Sequence, residues 1–375
     1  MPIYIDVAAA VHGRAGLGRY AESLAGALVV KDPARFALFF NRSGQVRLPT
    51  RLQEIPSRSV RAGYKPWRMA IWLGQLAGLG FDRLLPGAEL YHATEHLLMP
   101  LRHVPTVLTV HDLIFRLFPQ HHKRLNYWYL NAAMPLFCRR ASAIIAVSQA
   151  TKRDLVNFYG LDPAKISVVH EAAAPHFAPA PPDQVAQVQA RYRLPDCYLL
   201  HVGTIEPRKN LNRLLKVVYR LRRAGEDIRV VIVGSKGWLY EDFFRQLEEL
   251  ALGDTVVMPG FVPDTDLPAL YSGARLVVVP SHHEGFGLPV LEGMACGTPV
   301  ACSDASSLPE VGGQAARYFD PTDVAAMADQ ILAIWRDESL RETMRQQGLA
   351  RAAQFSWKRA ADETLAVYTR VTGSK

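Results

Sequence analysis

Short runs of β-branched and other apolar residues alternate with longer amphipathic runs over most of the chain. This alternation is typical of parallel strands that are joined by helices. The predicted strands are Ile3–Ala8, Arg35–Phe40, Glu89–Ala93, Thr106–Val110, Ala143–Val147 and Ile166–Val169 in the first half, and Tyr198–Val202, Arg229–Val233, Thr255–Met258, Leu276–Val279 and Pro299–Cys302 in the second. Both halves are therefore predicted to be doubly wound α/β domains.

The chain is too long for one compact core, because 375 residues correspond to two or three domains at ~150 residues each. Residues Ala172–Asp183 contain four prolines, which suits an extended linker. We predict a first domain over 1–175, a second over 176–355, and a C-terminal helix over 356–375 that packs back on the first. Two Rossmann-like domains of this kind are expected to bind ligands at the carboxyl ends of their strands, where the sheets face across a cleft.

Hydrophobic residues make up 49% of the sequence and charged residues 21%, which excludes a disordered or fibrous chain. No stretch reaches the ~18 uncharged apolar residues that a membrane-spanning helix needs. Asp6 interrupts the apolar N-terminus, so no signal peptide is predicted. The four cysteines form no CxxC pair, which argues against a zinc or disulfide framework. The expected location is the cytoplasm.

The first half of the chain is basic. Residues 1–180 hold 21 Lys and Arg against 11 Asp and Glu, a net of +10; residues 181–375 hold 22 against 24, a net of −2, and the two values sum to the total of +8. Such an excess indicates that one domain meets an anionic partner. A phosphorylated ligand and an anionic bilayer remain open, whereas nucleic acid is least favoured because the basic residues are scattered.

The most informative motif follows a predicted buried strand and reads Ser281-His-His-Glu-Gly-Phe-Gly-Leu-Pro-Val-Leu-Glu292. Pro289 suits the first turn of a helix, so Glu284 is expected in the loop at the strand end and Glu292 one turn inside the helix. The glycines at 285 and 287 let a backbone approach a ligand, and the N–H groups of the helix start can bind phosphate oxygens. Two carboxylates beside such a phosphate site can accept hydrogen bonds from sugar hydroxyls.

Three further positions lie at predicted strand ends. Arg208 and Lys209 come after the strand that ends in Val-Gly-Thr204 and just before a helix, and two adjacent cations beside helix N–H groups predict a diphosphate site. His111 ends another strand, on the ligand side of a parallel sheet. Gly16 lies between the first strand and its helix, although the glycines at 13, 16 and 18 do not have the spacing of a dinucleotide-binding loop.

Together these motifs resemble the retaining glycosyltransferases of family 4, which have the GT-B architecture of two facing Rossmann-like domains. The resemblance is carried by the Glu-x7-Glu of Glu284 and Glu292 and by three further stretches, His201-Val-Gly-Thr-Ile-Glu-Pro-Arg-Lys-Asn210, Pro259-Gly-Phe-Val262 and Gly13-Arg-Ala-Gly-Leu-Gly-Arg-Tyr20. These motifs span nearly the whole chain in the family's order. The stretch at 201–210 is most similar to bacterial mannosyltransferases.

The resemblance implies transfer of a hexose from a nucleotide sugar to a hydroxyl with retention at the anomeric carbon, and it favours GDP-mannose over UDP-glucose. It implies that Glu284 holds the sugar hydroxyls and Glu292 the ribose diol. The implied catalytic residues are His111, Glu284, Lys209 and Arg208. The implied donor-binding residues are Gly16, Thr204, Arg208, Lys209, Val262, Glu284, Phe286, Gly287, Leu288 and Glu292. Many family members carry an arginine where this chain has Thr204, a charge that Arg208 would supply.

No cofactor and no metal is expected, since Arg208, Lys209 and helix N–H groups would meet the charge of the diphosphate. Asp264-Thr-Asp266 has the Asp-x-Asp spacing of metal-dependent glycosyltransferases, but its place before an amphipathic run predicts that Asp264 caps a helix and Asp266 complements the helix dipole. Three alternatives remain open: a sugar-nucleotide epimerase of the same architecture, a UDP-glucose-dependent glucosyltransferase, and a non-catalytic sugar-nucleotide sensor.

The second domain is expected to bind the nucleotide, so the basic first domain is expected to meet an anionic acceptor. A glycan or lipid-linked glycan at the inner face of the cytoplasmic membrane fits this charge. The stretches Trp67–Leu76 and His121–Arg124 are candidates for peripheral contact with anionic lipid. The alternative is that Trp67–Leu76 forms an ordinary helix packed on its sheet.

Overall fold

The computed structural model describes residues 1–121 and 123–373 and contains two compact units. Unit 1 comprises Met1–Arg116, Arg124–Glu171 and the segment from Ser356 onward; unit 2 comprises Leu117–Lys123 and Ala172–Phe355. The predicted boundary after residue 175 lies four residues beyond the observed division, and the one after residue 355 coincides with it. One correction concerns Leu117–Lys123, which the prediction placed in the first domain and the structure places in unit 2. His122, Ser374 and Lys375 lie outside the described residues.

Unit 1 is built on a parallel sheet that has seven strands among the described residues, in the order β3-β2-β1-β4-β5-β6-β7. The strands are β1 Ile3–Asp6, β2 Phe36–Arg42, β3 Ser57–Arg61, β4 Leu90–Ala93, β5 Thr106–Val110, β6 Ala143–Ala146 and β7 Ile166–Val168. Every one but β3 was predicted to within two residues. The sequence of β3, Ser-Arg-Ser-Val-Arg, is mostly exposed at the sheet edge, so it lacks the apolar pattern on which the prediction depends.

Helices cover the sheet of unit 1, and its central strands are buried throughout. The α-helices before residue 172 are α1 Ala8–Val11, α2 Ala15–Lys31, α3 Tyr64–Leu76, α4 Ile114–Leu117, α5 Arg124–Arg140 and α6 Gln149–Tyr159. Trp67 of α3 is buried and packs against Phe81 and Phe39. Part of the stretch predicted to touch a membrane is therefore core.

Unit 2 is built on a second parallel sheet, with six strands among the described residues in the order β10-β9-β8-β11-β12-β13. Its strands are β8 Leu199–Val202, β9 Val230–Val233, β10 Val256–Gly260, β11 Leu276–Val279, β12 Val300–Ser303 and β13 Ala316–Phe319. Its helices are α7 Pro182–Tyr192, α8 Leu211–Arg223, α9 Glu241–Glu249, α10 Leu267–Gly273, α11 Leu288–Ala295, α12 Leu308–Gly312, α13 Val324–Arg336 and α14 Glu338–Ala352.

Two elements of unit 2 differ from expectation. Helix α7 begins at Pro182, inside the stretch predicted to be an extended linker, because proline is well suited to the first helical position. Residues 172–181 contain no helix or strand. Strand β13, Ala-Arg-Tyr-Phe, was not predicted, since it is a four-residue edge strand with a charged residue in its middle.

The C-terminal helix α15, Trp357–Thr372, belongs to unit 1. Ser356 caps its first turn by accepting a hydrogen bond from the backbone N–H of Arg359 (3.2 Å). Near its other end, the hydroxyl of Tyr368 is hydrogen-bonded to Nδ1 of His92 (2.6 Å), and Nε2 of His92 is hydrogen-bonded to Thr109 (2.8 Å). All three side chains are buried. The helix is thus tied into the polar interior of unit 1.

The strand order decides where each unit can bind a ligand. The chain moves outward in opposite directions from β1 and β4 in unit 1, and from β8 and β11 in unit 2. At such switch points the loops after neighbouring strands leave on opposite sides and open a crevice at the carboxyl edge of the sheet. Within the described residues, no helix combines the length and the apolar character that crossing a bilayer requires.

Candidate active site

The switch point of unit 2 brings together the loop after β8 and the loop after β11. Glu284 from the second loop receives hydrogen bonds from both cations of the first. Lys209 Nζ donates to its Oε1 and Arg208 Nη1 to its Oε2, each at 2.7 Å. Ser281 Oγ also donates to Oε1 at 2.6 Å. The structure therefore brings together three of the four predicted catalytic residues, with Arg208 and Lys209 bound to the carboxylate of Glu284.

Backbone and side-chain hydrogen bonds fix these loops. The N–H of His282 donates to the carbonyl of Arg208 (2.9 Å), which ties the two loops together. Asn210 has a left-handed backbone (φ 57°), and its side-chain amide donates to the carbonyls of Pro280 and Pro321. Arg208 also pairs with Glu206 (2.6 Å). The two cations are thus balanced by two carboxylates, Glu206 and Glu284.

Burial makes these charges depend on one another. Glu284 and Lys209 are each only 7% exposed. Burial would raise the pKa of Glu284, but the charges of Arg208 and Lys209 outweigh burial and hold that pKa far below its usual range. Burial and the neighbouring Arg208 lower the pKa of Lys209 despite its pairing with Glu284. The site thus holds a carboxylate that stays ionised and cations whose charge is strongly felt.

Beneath this cluster lies His201, a residue that the sequence analysis quoted but gave no role. Its Nδ1 donates to the carbonyl of Val278 (2.9 Å), and burial lowers its pKa to about 4. A Cβ added at Gly203 would lie 3.2 Å from His201 Nε2 and 3.3 Å from Lys209 Cε. A side chain at position 203 would therefore crowd both His201 and Lys209. The signal in the sequence is a histidine within an apolar strand.

The start of helix α11 forms the second wall of this edge. Gly287, the residue before the helix, has φ 108°, a conformation that favours glycine, and no side chain caps the helix start. Ser307 Oγ lies 2.9 Å from the carbonyl of Glu284 and 2.7 Å from that of Phe286, which holds the glycine-rich loop in place. Pro289 has no N–H, and those of Val290 and Leu291 donate to the carbonyl of Gly287. The backbone N–H groups of Gly287 and Leu288 are therefore the ones placed for phosphate oxygens.

The other predicted donor-binding residues of unit 2 are distributed around this edge. Thr204 and Leu288 are partly exposed next to the cluster, whereas Phe286 is buried. Glu292 is 2% exposed and accepts a hydrogen bond from the hydroxyl of Tyr271 (2.8 Å), a residue on α10. Val262 follows β10, two strands from β8, or roughly 10 Å along the sheet edge.

The Asp-Thr-Asp stretch differs in part from the prediction: Asp266 lies at the start of a helix, as expected for a carboxylate that complements the helix dipole, but Asp264 does not cap that helix. Asp264 was expected to cap a helix, but the residue before α10 is Asp266, and its carboxylate makes no capping hydrogen bond. That carboxylate instead accepts hydrogen bonds from Arg191 (2.6 Å) and from Tyr192 (2.7 Å). Asp266 therefore ties α10 to the end of α7. Among the described residues, His, Cys, Asp and Glu form no group of three or more that could hold a metal ion.

In unit 1, both ring nitrogens of His111 face hydrogen-bond acceptors. Nδ1 is 3.0 Å from the carboxylate of Glu171, and Nε2 donates to the carbonyl of Thr94 (2.9 Å). Burial alone would lower the pKa of His111, but the hydrogen bond and charge of Glu171 and the carbonyl of Thr94 raise that pKa above its ordinary value. This arrangement favours the doubly protonated imidazolium at the end of β5.

The switch point of unit 1 carries further buried charges that sequence reasoning missed. Glu95 follows β4, is 1% exposed and pairs with Arg14 (2.7 Å), whose guanidinium lies 3.7 Å from the ring centre of Tyr64. Burial and the charge of Glu95 raise the pKa of Asp6, at the end of β1, to about 7. A Cβ added at the predicted Gly16 would meet nothing within 4 Å, so close packing gives no reason for that glycine.

Two family models match the chain. The model described as Glycosyltransferase Family 4 matches residues 14–177, and the model described as Glycosyl transferases group 1 matches residues 188–351. The O-antigen chain mannosyltransferase B of Escherichia coli is 35% identical over 282 residues, which cover 74% of this chain and 74% of that protein. A D-inositol 3-phosphate glycosyltransferase of Segniliparus rotundus is 31% identical over 339 residues, 86% of this chain and 71% of the relative. The chain covers only 35% of a third relative, the serotype-specific mannosyltransferase WbdA of Escherichia coli, at 30% identity.

Solved structures show the same fold. The sucrose-phosphate synthase of Thermosynechococcus elongatus superposes with a TM-score of 0.80 over all of both chains at 19% identity. The Anabaena protein HepE in complex with UDP-glucose superposes with a TM-score of 0.73 at 17% identity, covering 99% of this chain and all of that one. The two parallel α/β units therefore have the GT-B fold. The chain belongs to the group 1, family 4 glycosyltransferases, which confirms the predicted fold and family.

We expect Glu171→Gln to lower the pKa of His111, because the substitution removes the charge that raises it and leaves the burial that lowers it. The stability that protonated His111 contributes is fully present below its unfolded pKa of about 6.5 and is lost as the pH rises through the folded value. The variant's loss of stability should therefore be largest below pH ~6.5 and should shrink as the pH rises through the folded pKa of His111. NMR titration of the imidazole measures the pKa. Denaturation below pH ~6.5 and above the folded pKa measures the loss of stability.

Glu54→Gln is the matched control, since Glu54 is an exposed glutamate of the same unit. It should leave the titration of His111 unchanged. An unaltered His111 pKa in Glu171→Gln would contradict the assignment.

Proposed function

We propose that the protein is a retaining mannosyltransferase, which transfers mannose from GDP-mannose to a hydroxyl of a glycan or lipid-linked acceptor without a metal ion. The observation that carries this proposal is the cluster of Arg208, Lys209 and Glu284 beside the start of α11. Mannose as the transferred sugar is supported by the 35% identity to mannosyltransferase B. GDP as the carrier and retention of configuration follow from the family resemblance of the motifs.

In this proposal unit 2 binds the donor. Lys209, Arg208 and the backbone N–H groups of Gly287 and Leu288 bind the diphosphate. Glu284, now held by those two cations, turns to the hydroxyls of the sugar when the diphosphate takes its place. The same cations stabilise the negative charge that develops on the leaving phosphate. Positive charge at this edge thus substitutes for a metal.

The chemical step needs no protein nucleophile. The acceptor oxygen forms a bond to the anomeric carbon on the face from which the phosphate oxygen departs, and the proton of the acceptor hydroxyl passes to that phosphate. Nucleoside diphosphate leaves with the electron pair of the broken bond. Unit 1 binds the acceptor, and protonated His111 contributes a positive charge at the end of β5.

We expect turnover with GDP-mannose to exceed that with any other sugar nucleotide, in a panel of UDP- and GDP-sugars assayed for nucleoside diphosphate release with lipid-linked and soluble glycan acceptors. The same assay in excess EDTA should lose little activity. Activity that strictly requires Mn²⁺ or Mg²⁺ and is lost in Asp264→Asn would contradict metal independence.

The panel also separates the alternatives. A sugar-nucleotide epimerase converts its substrate with no acceptor present, a glucosyltransferase prefers UDP-glucose, and a sensor binds a sugar nucleotide without releasing nucleoside diphosphate. Any of these results would overturn the mannosyltransferase proposal.

Glu292→Ala should weaken nucleotide binding, because a carboxylate that accepts hydrogen bonds from both ribose hydroxyls contributes ~1.5–3 kcal/mol per charge-assisted bond. The expected loss in affinity is at least tenfold, measured by calorimetry with the bare nucleoside diphosphate. Tyr271→Phe is the matched control, since it removes the same intramolecular hydrogen bond and keeps the carboxylate. Equal affinity of Glu292→Ala and wild type would contradict the ribose assignment.

An apolar face on α3 supports contact with a membrane. Met69, Leu73 and Leu76 are 41%, 54% and 57% exposed, and their spacing of four and three residues places them on one side of the helix. The neighbouring helix α5 exposes Leu125 and Trp128. We propose that this face lies on anionic lipid, with the basic residues of unit 1 supplying ~1 kcal/mol each near the surface.

We therefore expect wild-type protein to float with vesicles that contain anionic lipid at low salt and to stay in solution with neutral lipid. Leu73→Glu combined with Leu76→Glu should abolish flotation, because it buries charge in the headgroup region. Val30→Glu places the same change at an exposed position on α2 and should float like wild type. Equal recovery with both lipids would exclude membrane contact.

A further inference from the structure

A cavity lies in unit 1, at the carboxyl ends of β2 and β3. Arg42 ends β2 and Arg61 ends β3, and the two residues are directly paired in the parallel register. The cavity has a volume of about 420 Å³, within the ~300–1,000 Å³ typical of small-molecule sites. Its lining consists of Arg42, Ser43, Gly44, Arg61, Ala62 and Gly63.

The two arginines carry charge that the protein does not compensate. Side chains of directly paired residues in neighbouring strands point to the same face of the sheet, and like charges at such positions repel. Within residues 1–121 and 123–373, no ion pair joins Arg42 or Arg61 to a carboxylate, and Arg42 Nε is buried without a hydrogen-bond partner. A buried charged donor left unpaired is costly, so the arrangement suits an anion that supplies the missing acceptors.

Helix α3 adds to the same positive region. Gly63 precedes its first turn, no side chain caps that turn, and no acidic residue lies in it. Lys65 lies there instead, although a cation at a helix N-terminus has the unfavourable sign for the helix dipole. The buried Asn41 donates to the carbonyl of Ala62 (2.9 Å) and fixes the end of β3. The two guanidinium groups thus line the cavity with Gly63, and the start of α3, which carries Lys65, follows directly in the chain.

We propose that this cavity binds a phosphate group of the acceptor, an inference that rests on the proposed role of unit 1 in acceptor binding. Phosphate fits better than carboxylate, because two guanidinium groups and a helix start offer more donors than two oxygens can accept. In the strand order, β1 and β4 lie between β2 and β5, so the cavity is roughly 15 Å along the edge from His111. The phosphate recognised here is therefore remote from the hydroxyl that reacts.

The primary experiment counts binding sites for inorganic diphosphate on the full chain by calorimetry. Wild type should show two sites, one in the cavity and one at Lys209 in unit 2. Arg42→Gln combined with Arg61→Gln should lose one, and Lys209→Met should lose the other. The matched control is Arg47→Gln with Arg58→Gln, which removes the same charge from exposed arginines outside the cavity and should keep both. The proposal would be overturned if Arg42→Gln with Arg61→Gln, the cavity variant, kept both sites, or if it and Lys209→Met lost the same site.

Stability gives an independent readout with Arg61→Gln, whose substituted side chain is exposed. The variant should unfold at a higher temperature than wild type in buffer free of phosphate, since repulsion between the paired arginines is relieved. Added inorganic phosphate should stabilise wild type and leave the variant less affected. A lower unfolding temperature together with full stabilisation by phosphate would contradict the proposal.

Competition identifies the source of the phosphate. Farnesyl diphosphate and hexose 1-phosphate are compared as competitors of inorganic diphosphate at the cavity site. An affinity at least tenfold higher for farnesyl diphosphate assigns a lipid-linked acceptor, and the reverse assigns a soluble one. In transfer assays the cavity variant should raise KM for the phosphate-bearing acceptor at least tenfold and leave KM for the sugar nucleotide unchanged. Two binding sites without any transfer activity would refute the proposed function and leave the cavity site standing.

Discussion

The pairing of one buried carboxylate with two cations is the interaction on which the site depends. Glu284 raises the pKa of Lys209 against the burial that lowers it, and Arg208 and Lys209 in turn keep Glu284 ionised. Removing any one member leaves an uncompensated buried charge, which is far more damaging than losing an exposed ion pair. The loops that carry the three residues are accordingly fixed by backbone hydrogen bonds and by Asn210.

The strand order makes that pairing possible. Glu284 and Lys209 are 75 residues apart in the sequence, yet their loops leave neighbouring strands at the point where the order of the sheet reverses. Unit 1 has a similar arrangement, with Asp6 at the end of β1 and Glu95 just after the adjacent strand β4. Each unit thus has charged residues at the carboxyl edge of its sheet. The cations of unit 2 are paired with carboxylates, whereas the arginines at the ends of β2 and β3 have no ion pair within the described residues.

The sequence allowed the fold to be predicted, and it singled out the three residues that the structure brings together in unit 2, because apolar strands followed by glycine, proline and charge form a local pattern. Strand β3 and strand β13 escaped prediction since edge strands are polar and short, and α7 escaped because its proline start resembled a linker. The partners of the site residues were also missed. These partners come from distant segments of the chain, and no spacing in the sequence indicates such contacts. The pairs are Tyr271 with Glu292, Glu171 with His111, and Arg14 with Glu95.

The return of α15 to unit 1 has a consequence for synthesis of the protein. Domains generally fold in the order in which they leave the ribosome, but Tyr368 and the buried face of α15 emerge only after all of unit 2. Until then Nδ1 of His92 lacks its hydrogen-bond partner and the surface that α15 covers is exposed. All of unit 2 is therefore synthesised before unit 1 can complete its core, although unit 1 contains the first residues of the chain.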